Sequence, residues 1–403
     1  MPVLIKNPEL ILTSKPIGHE LVSVIVEAPV KGRGLQIAKV RRQDDPEFFD
    51  LLFAIHRMPY EETSGAFNAL PEPVKIRLET MGVFIRAEEV APKVLYGCVL
   101  EGDPAADADD VPGDLIVNPG FHYRPDEELP ETLRHRVRFS ERFLRGYSIG
   151  WVEEPEDGII FPYWIPGTLR HFAAALKPGE PVPALPGGAP RLFREARVFV
   201  CREELAHRRA SRLAQWRDAW REFALQRHAA LDSLIPPPHL AALRVYFCEM
   251  MESGRVRLGD HDSPLRYNAH NDELLFFFHH QLAGLASRIA GRPLKASHNH
   301  FISYLPGAIL RPHVDPIEHE FGISLLLDYQ PMPQGAAPWP LLLGADGGIE
   351  MTQKVGDAVF YNAHEIPHSR RGPLPEGHRS ASILLHFVPQ EFRGPQEYSP
   401  FFA

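Results

Sequence analysis

Tyr304-Leu-Pro-Gly-Ala-Ile-Leu-Arg-Pro-His-Val-Asp315 and, further on, Gly356-Asp-Ala-Val-Phe-Tyr-Asn-Ala-His-Glu-Ile-Pro-His368 decide how the C-terminal part of this chain is read. His313 and Asp315 are two residues apart, so at a strand end their side chains point the same way. His368 comes from a distant strand and closes the group in space. Two imidazoles and one carboxylate can hold one face of an octahedral ion and leave three positions open. That donor set suits iron(II), and the open positions are what oxygen chemistry requires.

Working outward, short apolar runs punctuated by Gly and Pro predict strands at 300–304, 321–329, 339–343, 348–351, 356–361 and 379–388, a sandwich or barrel. Two helices precede them. One opens at Asn271 as N-cap, lines Leu274, Phe278, Leu282, Leu285 and Ile289 along one face, and ends at Gly291-Arg-Pro293. His279 and His280 on this helix read as structural. The other runs over 202–234 with a stripe of Leu213, Trp216, Trp220 and Phe223 that predicts core or subunit contact, and Pro236-Pro-Pro238 stops it. Helices ahead of a C-terminal β unit give an α+β class, with helices on one outer face of the sheet.

Residues 1–175 read as a mixed α/β region of unassigned role. Within it, 48–86 predicts two short helices followed by a hairpin arm at Met81-Gly-Val-Phe-Ile-Arg. A small α+β packing unit is the plain reading, and a winged-helix-like binding module is the alternative. The acidic run at 101–110 lacks the Gly and terminal Glu spacing of an EF-hand loop and reads as solvated. Pro and Gly break both periodicities over 176–192. This stretch reads as a linker to a C-terminal unit at 193–403, whose barrel core spans about 271–390.

Composition bounds the partners. At 403 residues and 44% apolar content the chain has a sizeable core, and its net charge of −9 argues against a nucleic-acid binder. Three cysteines without a CxxC pair fit a reducing cytoplasm rather than a disulfide framework. The start lacks a basic region followed by an apolar run, and no stretch approaches the roughly 18 to 20 apolar residues of a membrane span. Oligomeric state is not legible.

Tyr304 and Gly307, nine and six residues before His313, extend the pattern. So do the strand-like Glu320-Phe-Gly-Ile-Ser-Leu-Leu-Leu-Asp328, the run from Gly356 to Tyr361, and Gly377-His-Arg379. Together they resemble the catalytic core of Fe(II)/2-oxoglutarate-dependent dioxygenases, in particular the prolyl-4-hydroxylase-like group, over about 271–390. The resemblance implies a double-stranded β-helix, or jelly roll, of the cupin type. It implies Fe(II), 2-oxoglutarate and O2, with ascorbate as an accessory reductant. His313, Asp315 and His368 would be the catalytic metal ligands. His364 competes with His368, since both separations from Arg379 occur in such enzymes, and Glu365-Ile-Pro-His368-Ser-Arg370 resembles the motif of a bacterial subgroup. Arg379 would hold the distal carboxylate of 2-oxoglutarate, gripping it in bidentate fashion, and Tyr304 would add a hydroxyl. Arg370 and Arg371 either hold an anionic substrate group or are solvated. Asp315 favours hydroxylation over halogenation.

The implied reaction is hydroxylation of an unactivated C–H of an amino acid, peptide or protein side chain, with release of succinate and CO2. Two alternatives stand beside it. One is a cupin-like metalloenzyme using zinc or manganese without 2-oxoglutarate. The other is a binding or regulatory protein in which the barrel is secondary.

Overall fold

The computed structural model describes residues 4–394 apart from 18–19, 102–113, 135–139, 141, 145, 155–157, 186–187 and 261–262. The acidic run at 101–110 therefore lies almost wholly outside the described residues.

The chain begins with strands β1 (Leu4–Lys6), β2 (Ile11–Ile17), β3 (Glu20–Val30) and β4 (Gly34–Arg41). β2, β3 and β4 form an antiparallel meander. Val24, Val26 and Ala28 alternate inward along β3, as a half-buried strand requires. Helices α1 (Pro46–Arg57), α2 (Tyr60–Asn68) and α3 (Glu72–Thr80) follow. Asp45 caps α1 by accepting from the Phe48 N–H, with Pro46 at the first helical position. Phe48, Phe49, Leu52 and Ile55 then pack on the meander in a core of their own. Three helices thus replace the two expected. The expected hairpin arm is also corrected: β5 (Phe84–Arg86) pairs with β1 at the chain start instead of folding on itself.

The middle of the chain holds β6 (Leu115–Val117), β7 (Phe121–Arg124), α4 (Glu131–Arg134), β8 (Ser148–Glu153), β9 (Ile160–Ile165), α5 (Arg170–Ala175), α6 (Ala189–Glu195) and β10 (Phe199–Cys201). Its residues share one large core with the C-terminal elements, running from Val94 to Phe387. The division expected at 176–192 does not separate two cores. Leu176, Ala189, Leu192 and Phe193 are buried in that shared core. Pro and Gly break the periodicity there, but they report a change of chain direction as readily as a domain boundary.

Next come α7 (Arg202–Gln226), β11 (His228–Leu231), α8 (Pro237–Glu252), β12 (Arg257–Leu258), β13 (Arg266–His270) and α9 (Glu273–Ala290). α7 ends earlier than expected. Arg227 adopts a left-handed φ of 64°, and the following residues pair with a strand of the main sheet. On its stripe Trp216 and Phe223 are buried, whereas Leu213 and Trp220 stay nearly half exposed. α9 buries Leu274, Phe278, Leu282, Leu285 and Ile289 as its spacing predicts, but Asp272, not Asn271, is its N-cap.

β14 (Leu294–Tyr304), β15 (Phe321–Gln330), β16 (Leu341–Leu343), β17 (Ile349–Met351), β18 (Ala358–Asn362), β19 (His368–Arg370) and β20 (Arg379–Pro389) complete the chain. A seven-stranded antiparallel sheet runs β11-β18-β15-β20-β14-β13-β12, and a smaller one runs β17-β16-β19. The large sheet has two characters. Ile383, Leu385 and Phe387 of β20, with Phe301 of β14, join α8 and α9 in the large core. Leu384 and His386, with His298, His300, Ile302 and Tyr304, face a cavity of about 650 Å³. Leu341, His368 and Arg370 of the smaller sheet line the same cavity, as do Ile25, Glu27 and Ile37 of the N-terminal meander.

The N-terminal unit is tied down by a buried charge cluster. Glu9 Oε2 accepts from Arg142 Nη1 at 3.1 Å and from Arg255 Nη1 at 2.9 Å. Arg255 also donates to the Ala91 carbonyl at 3.0 Å. Among the described residues, no helix is long and apolar enough to cross a membrane.

Candidate metal centre and anion pocket

His313 and His368 meet through the backbone. Each donates its N–H to the other's carbonyl, and Asp315 N–H bonds Ala363 O at 2.8 Å. The His313 and His368 rings sit side by side with centroids 4.2 Å apart. Asp315 Oδ1 lies 3.7 Å from His313 Nε2 and 3.6 Å from His368 Nε2.

The other ring nitrogen of each imidazole is already engaged. His313 Nδ1 bonds the Arg311 carbonyl at 2.9 Å, and His368 Nδ1 bonds that of Ile366 at 3.2 Å. A carbonyl accepts only from N–H, so both rings carry their proton on Nδ1 and offer a lone pair at Nε2. Burial also pushes the His368 imidazole down to about 3, with His313 adding to the effect, so it is neutral. Two oriented Nε2 lone pairs and a carboxylate oxygen fit a divalent iron ion by donor chemistry.

His364 sits elsewhere. Its Nδ1 bonds the backbone carbonyl of Asp315 at 2.8 Å, and it does not line the cavity. It braces the loop that carries Asp315 rather than joining the donor group.

Deeper in the cavity stand Tyr304 and Arg370, both buried. Arg370 Nη1 donates to Trp339 O at 2.7 Å, and the guanidinium lies 5.2 Å from the Trp339 ring centroid. Its Nε has no hydrogen-bond partner among the described residues. Its electrostatic neighbours are the phenols of Tyr304, Tyr361 and Tyr329, and burial pulls its pKa down. No carboxylate among the described residues forms an ion pair with it. A buried guanidinium with no counter-ion is costly unless an anion completes it.

Arg379 is not in this cavity. It is exposed at the start of β20, on the side of Ala381 and Ile383, and its charge is felt by Cys248 of α8. This corrects the expectation that Arg379 clamps 2-oxoglutarate. Side chains alternate along a strand, and β20 turns its even-numbered residues to the cavity. Arg371 is exposed and paired with Glu350 outside the cavity. Of Arg370 and Arg371, Arg370 alone lines the cavity.

Several cavity residues carry no signal in the motifs above. His386 Nδ1 lies 3.7 Å from Asp315 Oδ2. Arg266 donates to Asp260 at 2.6 Å and to the Tyr304 hydroxyl at 3.4 Å. His270, His298, His300 and His319 add further imidazoles to the wall. The alternation His298-x-His300 is the signal that points to them, but the strand expected from sequence begins only at His300.

No family model matches the chain, and no curated protein matches it. Among solved structures, the chain is similar to the non-heme alpha ketoglutarate dependent epimerase SnoN from nogalamycin biosynthesis. The identity is 12%, the TM-score 0.37, and the match covers 44% of this chain and 81% of that one. A prolyl-4-hydroxylase from Pseudomonas putida is 19% identical, with a TM-score of 0.35, over 43% of this chain and 99% of the other. HygX from Streptomyces hygroscopicus, solved with nickel, 2-oxoglutarate and hygromycin B, is 11% identical, with a TM-score of 0.34, over 44% and 88%. The first of these is alpha ketoglutarate dependent, and the third holds 2-oxoglutarate. At such identities and TM-scores the likeness assigns no reaction to this chain, and its site is read from its own geometry.

Proposed function

We propose that this protein is a non-haem Fe(II)- and 2-oxoglutarate-dependent dioxygenase that hydroxylates an unactivated C–H of an amino acid, peptide or protein side chain. The observation that carries this reading is Arg370: a buried guanidinium without a counter-ion, in the same cavity as His313, Asp315 and His368. Such a cation calls for a small anion beside the metal donors, which is the role of a 2-oxo dicarboxylic acid.

His313, Asp315 and His368 would hold iron(II), with O2 as the second co-substrate. Bound there, the ion supplies O2 activation coupled to decarboxylation of the 2-oxo acid to succinate and CO2. Arg370 binds the distal carboxylate through its free Nε and remaining N–H donors, a planar fork suited to bidentate recognition. Tyr304 lies close enough to share in that pocket and is held in place by Arg266. Trp339 walls off the guanidinium and excludes water around the charge pair, which strengthens it. Asp315 fills the third protein position.

The test is succinate release from protein reconstituted anaerobically with Fe(II), then given 2-oxoglutarate, O2 and a panel of amino acids, peptides and cell extract. Iron-dependent succinate formation that disappears in His313→Ala is expected. Turnover that persists without iron or without 2-oxoglutarate would overturn the reading.

A further inference from the structure

A second cluster of imidazoles lines the cavity, sharing no residue with His313, Asp315 and His368. His298 and His300 are two residues apart on β14 and project to the same side. His270 on β13 lies directly opposite His300 in the ladder. One nitrogen from each of the three rings lies within 4.8 Å of the others. His270 Nδ1 stands 3.2 Å from His298 Nε2, and the His270 and His300 rings stack with centroids 4.0 Å apart.

Packing alone is a poor reason for this arrangement. Each imidazole brings two polar ring atoms, and a buried one left unpaired costs roughly 1–3 kcal/mol. The His270–His298 contact satisfies one donor and one acceptor. His300 Nε2 is buried with no hydrogen-bond partner among the described residues. Of the carboxylates lining this cavity, Asp260 is taken by Arg266 and Asn268, and Glu27 of β3 also borders His270. A cation would draw one lone pair from each ring and give His300 a partner.

We propose that His270, His298 and His300 form a second metal site, which takes a divalent ion of the zinc type. Three imidazoles with one position left open is a donor set such ions accept. Both strands belong to the continuous ladder that runs from His270↔His300 to Arg266↔Tyr304, so the cradle exists before the ion arrives. All three histidines line the cavity, and the open position faces it. An anionic group of the substrate, a carboxylate or phosphate, completes the coordination. The two sites are joined by stacked rings. His298 lies against His319 with centroids 4.6 Å apart, and His319 against His386 at 4.4 Å. His386 in turn faces Asp315. Both donor groups line one cavity, so a substrate anchored at the second ion would share it with the first.

Zinc(II) bound per chain, measured by equilibrium dialysis of metal-stripped full-length protein, tests this. Wild type is expected to bind two ions. His298→Ala/His300→Ala should bind one, and His313→Ala/His368→Ala should also bind one. If His298→Ala/His300→Ala binds as many ions as wild type, the second site does not exist. It is equally ruled out if wild type binds one ion that only the His313/His368 variant loses. Retained zinc binding in the His313→Ala/His368→Ala background tests the second site whether or not the dioxygenase reading holds. Should the double alanine variant unfold, His300→Gln keeps a side chain of similar reach. The zinc-induced rise in melting temperature, measured in the His313→Ala/His368→Ala background, should then vanish on adding His300→Gln. An undiminished rise overturns the proposal.

Discussion

His313 and His368 exchange both backbone hydrogen bonds, at 3.2 Å and 2.8 Å, as an isolated antiparallel bridge. Residues paired in this way stand directly opposite each other with side chains on one face. The separation of the two imidazoles is therefore set by main chain, not by packing. Their Nδ1 protons are pinned by carbonyls two residues upstream, which leaves only the Nε2 atoms to converge on Asp315.

The choice between the two candidate distal histidines is open to a direct comparison. His368→Ala should abolish iron(II) binding at this site, measured as metal per chain in the His298→Ala/His300→Ala background. His364→Ala, which removes only a bond to the Asp315 carbonyl, should retain it. Loss of iron in His364→Ala with retention in His368→Ala would reverse the assignment.

Arg370 and Arg379 can be separated by co-substrate affinity. A hydrogen bond to a charged group contributes about 1.5–3 kcal/mol, so Arg370→Gln should weaken 2-oxoglutarate binding by roughly 10- to 100-fold. Arg379→Gln alters an exposed side chain and should shift it by about twofold or less. Titration calorimetry on both variants reads the difference. Equal losses would return Arg379 to the site.

Glu9 reports how firmly the N-terminal unit is seated. Its carboxylate serves two buried guanidinium groups, Arg142 and Arg255. Removing one partner of a buried pair typically destabilises by about 3–5 kcal/mol. Glu9→Ala should therefore lower the urea midpoint markedly, and a change within error would show the cluster to be solvated in solution.

Acid sensitivity follows from His239. Full burial among Tyr96, Phe161 and Tyr163 holds its imidazole down at about 3, against an ordinary 6.5. Below 6.5 the unfolded chain takes up a proton that the folded chain refuses until about 3. Stability is thus full above 6.5 and declines as the pH falls through that window, by about 2 kcal/mol at pH 5 from this group alone. Urea unfolding of wild type and His239→Phe at pH 7 and pH 5 checks it. The variant should lose less between the two.

The parts of this molecule legible in its sequence are those fixed by short-range alternation. The α9 face from Leu274 to Ile289 is buried as its spacing predicts, and the strands carrying Tyr304, Phe321, Val359 and Leu385 lie where apolar runs place them. His-x-Asp is a spacing readable without the rest of the chain, although His313 and Asp315 lie in the connection between β14 and β15 and not on a strand. Arg379 misleads for a complementary reason. Its distance from His368 says nothing of which way β20 faces, and alternation along β20 puts Arg379 on the side of Ile383, opposite Leu384 and His386 of the cavity wall. The meander at 11–41 is hard to divide into strands from sequence because charged residues interrupt its apolar alternation. The imidazole cradle needs the pairing of β13 with β14, which a sequence does not print.

The N-terminal meander places Ile25, Glu27 and Ile37 at the cavity, yet it folds around a core separate from that of β14, β15 and β20. On the proposed reading, the residues that would hold the metal and part of the cavity wall belong to two bodies of chain with different internal constraints. On that reading, residues of the meander can change without disturbing Asp315, and the donor group can stay constant while the wall changes what it admits. A chain divided in this way can acquire new substrates by altering its threshold while its chemistry stays still.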